Sequence, residues 1–120
     1  MTRANFSMSV RVMTARTSII DITGELNAFV ESALMEAYAQ ASTPTTRTIG
    51  LNFNGLDYMN SSGIGLLVTF PIRTDRQKQR LLAFGKSERY GRIFALTRLN
   101  EAIGSYSSEA EMIEAAGRGS

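Results

Sequence analysis

Phe6, Met8, Val10 and Val12 alternate with Ser7, Ser9 and Arg11, the period of a strand with one face buried. A second such segment runs from Ser18 to Thr23 on Ile20 and Ile22, and Gly24 is expected to end it. The polar residues Thr14 to Thr17 supply the turn between them. The period then changes. Phe29, Val30, Ala33, Leu34, Ala37, Tyr38 and Ala41 form one helical stripe, with Asn27 as N-cap and Glu31 near the first turn. The polar run Ser42 to Arg47, which contains Pro44, stops this helix. Ile49, Leu51 and Phe53 then alternate with Gly50, Asn52 and Asn54 as a third strand.

Asn60 opens a second helix whose inward face is predicted to be Ile64, Leu67, Val68 and Ile72. Pro71 interrupts it. An interior proline loses a hydrogen bond and clashes with the preceding turn at about 3 kcal/mol, so a kink or break is expected near Phe70. Leu81 to Phe84 reads as a fourth strand closed by Gly85. Ser87 caps a third helix with a core face of Tyr90, Ile93, Phe94 and Thr97, extended by Leu96 and Leu99 and stopped at Asn100. Ala102 to Tyr106 is a fifth strand. Ser108 and Glu111 have capping-box spacing and open a last helix with Met112 and Ile113, ending at Gly117.

Repeated strand–helix–strand units imply parallel pairing with right-handed crossovers. Strands buried on both faces read as continuous apolar runs, whereas the first and third strands here alternate. The expected fold is therefore α/β, a mainly parallel or mixed five-stranded sheet with four helices largely on one face. With no repeat or linker in 120 residues, the chain reads as a single domain, 1–120, with its core at about 6–117.

Composition narrows the chemistry. The chain has no cysteine and no histidine, which excludes thiolate nucleophiles, Cys-ligated zinc and the commonest general base. No metal or other cofactor is expected. The N-terminal MTRANFSMSV lacks the apolar core of a signal peptide, and the longest apolar run, Ile64 to Phe70, is far shorter than the roughly 20 residues of a spanning helix. A cytoplasmic protein without a membrane partner is expected. Net charge is +2, but eight of the thirteen Lys and Arg residues fall between Arg73 and Arg98, where the only acids are Asp75 and Glu88. Such a patch suits an acidic partner or nucleic acid, but the reading given more weight is a helix end favouring cations plus a solvated face, so no direct nucleic-acid binding is expected.

The chemically unusual stretch is Leu56 to Val68, LDYMNSSGIGLLV. Asn60 can accept a hydrogen bond from the N–H of Ser62 or Gly63 as an N-cap. Ser61 and Ser62 then sit where backbone N–H groups are unpaired and the helix dipole is positive. Gly63 and Gly65 each cost a helix roughly 1 kcal/mol relative to alanine, which implies that a neighbouring strand or another molecule passes close to this turn.

At this stretch the sequence resembles the STAS-domain family of anti-sigma factor antagonists. The family pattern is an apolar strand, an acidic residue, Ser-Ser or Ser-Thr, Gly, an apolar residue, Gly and an apolar helix. This chain reads NFNGLDYMNSSGIGLL there, and ITGELN, Ile22 to Asn27, is similar to the family's Gly-Glu-Leu-Asp turn. The element order matches from roughly Phe6 to Gly117. The resemblance implies a STAS-like fold and a partner-switching role. Ser61, with Ser62 as second choice, would be phosphorylated by a serine protein kinase that is also an anti-sigma factor. The dephosphorylated form would bind that kinase, and a protein serine phosphatase would reverse the modification. Asn27, Asp57, Asn60, Ser62, Gly63 and Gly65 would line the partner-binding surface. Asn27 and Asn60 stand where the family usually has aspartate, which keeps the caps and removes two negative charges.

Other readings are a STAS scaffold without phosphorylation, sensing a small molecule or nucleotide, or an enzyme with Ser61 as nucleophile. The enzymatic reading lacks a histidine base and the G-x-S-x-G elbow. A dinucleotide fingerprint fails because Val68 stands where the third glycine belongs. Asp57 is the one acid near the turn and reads as a residue that caps or solvates the loop, not as half of a carboxylate pair.

Overall fold

The computed structural model describes residues 6–118. Strands β1 (Phe6–Val12), β2 (Thr17–Leu26), β3 (Thr48–Met59), β4 (Arg80–Phe84) and β5 (Gly104–Tyr106) form one sheet in sequential order. The short turn after β1 makes β1 and β2 antiparallel, and every later pair is parallel because a helix carries the chain back between strands. Those helices are α1 (Glu31–Ala41), preceded by a 3-10 turn at Ala28–Val30, α2 (Ser61–Arg76), α3 (Glu88–Leu96) and α4 (Leu99–Ala102); α5 (Glu109–Arg118) closes the described chain. The mixed five-stranded sheet expected from the pattern is the one that forms.

Helices α1 to α4 cover one face, where Ile20, Ile22, Ile49, Leu51, Leu81 and Ala83 meet Leu34, Leu67, Phe70, Phe94 and Leu99. Right-handed crossovers between strands added in sequence place them there. Helix α5 follows the last strand, makes no crossover, and folds over the opposite face on Ile19, Leu82 and Phe84 through Met112 and Ala116. β4 is thus covered on both sides, which is why Leu81 to Phe84 is an unbroken apolar run. Edge-to-face pairs of Tyr38 with Phe70 and of Phe53 with Phe94, ring centroids 5.1 and 6.0 Å apart, join helices to helices and sheet.

Several boundaries differ from the expectations. Gly24 does not end β2: it takes a φ of 84°, which costs a residue without Cβ little, and the register shifts beside it. Pairing then resumes as far as Leu26. β3 likewise continues past Asn54 to Met59. Pro71 neither ends α2 nor divides it into two segments. The buried face of the helix is Gly63, Leu67, Phe70, Pro71 and Thr74, a helical stripe that uses the proline and a threonine as inward positions. Thr74 remains satisfied because its hydroxyl donates to the Pro71 carbonyl at 3.0 Å. Val68 and Ile72, expected inside, are about half exposed, at 49% and 53%. Phe29, Leu96 and Thr97 also face solvent rather than the core. Asn100 does not stop a helix but lies within α4, which takes Ala102 from the expected fifth strand.

On the α5 face a polar cluster ties four elements together. The Arg11 guanidinium donates to both carboxylate oxygens of Asp21, at 2.6 and 2.8 Å, and to Glu109 of α5, while Asn52 donates to Asp21 at 2.7 Å. Burial pushes the Asp21 carboxyl up, but the hydrogen bonds from Arg11 and Asn52 outweigh it and hold the group below its ordinary value.

A folded-state value below the unfolded one, about 3.9, means that this cluster stabilises the fold above that pH and ceases to do so as pH falls through the folded value. Arg11→Gln is therefore expected to cost about 1 kcal/mol or less at neutral pH, since the guanidinium is part-exposed, and almost nothing in strong acid. Urea denaturation at both pH values checks the sign. The buried and exposed faces of α2 give a larger contrast. Phe70→Ala is expected to lose about 3–5 kcal/mol and Ile72→Ala less than about 1 kcal/mol, read from denaturation midpoints.

Candidate functional site

The parallel ladder of β2 and β3 runs to its last rung at Leu26 and Met59, and both strands turn into helices there. The Asn60 N–H crosses back to the Leu26 carbonyl at 3.2 Å. Asn60 Oδ1 accepts from the Gly63 N–H at 2.9 Å, and Asn27 Oδ1 accepts from the Phe29 N–H at 2.9 Å. Each asparagine is the cap that its sequence position predicted, although Asn27 caps the 3-10 turn rather than α1 itself. The Met59 N–H is held by the Tyr90 hydroxyl of α3 at 2.9 Å. Tyr90 reads in the sequence only as an inward aromatic; its part in fixing the end of β3 carries no signal in spacing or composition.

This frame places Ser61 and Ser62 as the first two residues of α2, both exposed. Neither hydroxyl forms a hydrogen bond among the described residues. Their backbone N–H groups belong to the unpaired set at a helix start, so the turn carries partial positive charge towards solvent. The two glycines have different reasons. A Cβ on Gly63 would stand 2.1 Å from the Leu26 carbonyl oxygen, whereas a Cβ on Gly65 would meet nothing within 4 Å. Gly63 is demanded by the neighbouring strand. Nothing among the described residues demands Gly65.

Of the predicted site residues, Asn27, Asn60, Ser61, Ser62, Gly63 and Gly65 come together across the β2–β3 rung. Asp57 lies further back on β3, exposed, with its neighbour Tyr58 opposite Glu25 of β2. Phe29, 85% exposed, lies next to the Asn27 cap and adds an apolar side chain that the stripe pattern had assigned to the core. Among the described residues no group of His, Cys, Asp and Glu could hold a metal ion, and no helix is long and apolar enough to cross a membrane.

A sequential mixed sheet that displays two serines on a capped helix start defines a class of small α/β domain, and comparison gives that class its family. The STAS domain model matches residues 10–112, and the chain belongs to the STAS domain family. An anti-sigma-B factor antagonist of Staphylococcus aureus is 30% identical over 84 residues, covering 70% of this chain and 78% of that protein. Among solved structures, the anti-sigma factor antagonist SpoIIAA in its unphosphorylated form superposes with a TM-score of 0.67 at 21% identity, over 95% of this chain and 100% of that one. The Bacillus cell fate determinant SpoIIAA in its phosphorylated form superposes with a TM-score of 0.59 at 23% identity, over 90% of this chain and 97% of that one. At these identities the two structures establish a shared fold.

The glycine assignment is directly testable. Gly63→Ala is expected to destabilise the protein by about 1–3 kcal/mol or more, because backbone rather than a flexible side chain must move. Gly65→Ala is expected to stabilise it by roughly 0.5–1 kcal/mol through helix propensity alone. Thermal unfolding of the two variants reads opposite shifts, and equal shifts would contradict the assignment.

Proposed function

We propose that this protein is an anti-sigma factor antagonist of the partner-switching type. The dephosphorylated form binds a serine protein kinase that acts as an anti-sigma factor. Phosphorylation of Ser61, with Ser62 as second choice, releases it, and a protein serine phosphatase restores binding. The observation that carries this reading is an exposed, unbonded serine hydroxyl at the first position of α2, on a turn pinned by Leu26, Asn60 and Tyr90. Family membership and the anti-sigma-B factor antagonist relative support it. A phosphate brings about −1.5 to −2 charges, and at a helix N-terminus these are tolerated or mildly stabilising. The fold survives modification. A partner seated over the turn meets a hydrated dianion whose burial without paired cations is costly. Asn27, Asp57, Asn60, Ser62 and Gly65 form the surface that the partner covers, with Gly65 leaving room for close approach and the buried Gly63 seating the turn against Leu26. The role is regulatory, with Ser61 a substrate of another protein's chemistry.

A second reading rests on a cleft of about 470 Å³ lined by Gly85, Lys86, Ser105, Tyr106, Ser107 and Glu111. It opens beyond the carboxyl ends of β4 and β5, where parallel sheets commonly receive small ligands. A small-molecule or nucleotide sensor would use that cleft, and its binding would be indifferent to Ser61→Ala.

The deciding experiment is capture from the native cell with wild type, Ser61→Ala and Ser61→Asp. Wild type and Ser61→Ala are expected to recover an ATP-binding kinase and Ser61→Asp to lose it, while all three melt within a few degrees of one another. A large fall in melting temperature for Ser61→Asp, or equal recovery by all three, rejects the switch. Intact-mass analysis after incubation with the recovered kinase and ATP should show one added phosphate on wild type and none on Ser61→Ala.

A further inference from the structure

The basic segment Arg73 to Arg98 is not one surface. β4 divides it, sending Arg73, Arg76, Lys78 and Arg80 to the end where the parallel strands begin and Lys86, Arg89, Arg92 and Arg98 to the end where they finish. The first group meets two arginines from distant sequence. The Arg16 carbonyl accepts from the N–H groups of Arg47 and Thr48 at 2.8 and 3.0 Å, and the Arg47 carbonyl accepts from Arg80 at 2.7 Å. Arg16, Arg47 and Arg80 therefore enter β2, β3 and β4 on adjacent strands, about 4.8 Å apart per step. Lys78 stands two residues before Arg80 on the turn from α2, and Arg76 ends that helix.

These five cations lack neutralising partners among the described residues. None forms an ion pair among the described residues. The Arg47 guanidinium donates to the carbonyls of Pro44 and Thr46, and the Arg80 guanidinium to that of Ala115. Beside them the β1–β2 hairpin exposes two apolar side chains, Val12 at 64% and Met13 at 38%. The hairpin is fastened to the loop before β3 by the Thr45 hydroxyl, which donates to the Ala15 carbonyl at 2.6 Å.

We propose that this end of the molecule is a peripheral docking surface for an anionic lipid bilayer. Cations attract an anionic headgroup layer, and adjoining apolar side chains that enter the interface add a second, salt-insensitive contribution. Nucleic acid fits less well. Single strands are held by stacking on aromatic side chains, and the exposed aromatics, Phe29 and Tyr58, lie at the opposite end. β3 spans from Arg47 to the Ser61 turn, about 36 Å at 3.3 Å per residue, so a docked molecule presents the serine turn away from the bilayer. This surface shares no residue with that turn, and its failure would leave the switch unaffected. The expectation of no membrane partner rested on the absence of a spanning segment, which does not bear on peripheral attachment.

The test is flotation of the full chain with phosphatidylcholine vesicles, with and without phosphatidylglycerol, at low and high salt. Wild type is expected to float with the phosphatidylglycerol vesicles at low salt and to be released by high salt. Each Lys or Arg near an anionic surface contributes roughly fivefold, so combining Arg16→Gln, Arg47→Gln and Lys78→Gln should weaken partitioning roughly a hundredfold. Circular dichroism checks its fold, and Lys78→Gln alone, on an exposed turn, should weaken partitioning about fivefold if the triple variant does not fold. Val12→Thr with Met13→Thr should weaken it severalfold without changing the salt dependence. Equal partitioning to neutral and anionic vesicles, unchanged partitioning of the charge variants, or tighter binding to duplex DNA than to the vesicles overturns the proposal.

Discussion

The structure of the candidate site depends on one close approach, that of α2 to the carbonyl of Leu26. Gly63 lies where a single added carbon would occupy the space of that oxygen, and the Asn60 N–H donates to the same atom. The contact exists because β2 and β3 stay paired to Leu26 and Met59, through two register shifts and a positive φ at Gly24. Were either strand to end where its alternation ends, the two helix starts would separate and the Asn27 and Asn60 caps would not share a surface. The serine turn is thus displayed by strand pairing and not by loop conformation, with both serines exposed.

The same turn separates two uses of glycine that look alike in the sequence. One accommodates the protein's own backbone. The other leaves a gap on the outer face of α2 that none of the described residues fills. Around that gap the serine hydroxyls are unbonded, Phe29 is exposed, and the free backbone N–H groups favour an anion. The electrostatics of a helix start make a phosphate there neutral or mildly favourable for the folded chain and unfavourable for anything docked over it. A switch of that kind requires no movement of the fold, because the change in binding comes from charge and bulk added at one position.

The two ends of the sheet carry different chemistry. The carboxyl ends of β2 and β3 carry caps, serines and glycines, and the amino ends of β2, β3 and β4 carry arginines without carboxylate partners among the described residues. β4 performs this separation, since it is short and passes straight through the molecule between two halves of a basic segment. The Arg11–Asp21–Asn52–Glu109 cluster belongs to neither end. It holds α5 to the face that the crossover helices leave open, and its carboxylates are engaged there instead of neutralising the arginines of the amino end.

Much of this was legible in the residues themselves. Alternation placed β1, the core of β2 and the first half of β3. Capping residues placed the starts of α2, α3 and α5, and the order of elements dictated a mixed sheet with right-handed crossovers. The Asn-Ser-Ser-Gly-x-Gly stretch was readable as a helix start with exposed hydroxyls because capping and helix dipole are local effects, settled within one turn. What lay beyond local reach was decided by packing. Pro71 and Thr74 face inward and Val68 and Ile72 outward because the rotation of α2 is set by Gly63 against Leu26, and no periodicity within the helix contains that contact. Phe29 is exposed because a 3-10 turn changes the phase of the stripe before α1 begins. Arg16, Arg47 and Arg80 meet only when three strands pair in register. Sequence alone determined the elements and the chemistry of the serine turn; the tertiary structure decided which residues share a surface, since that depends on contacts between segments that no local pattern records.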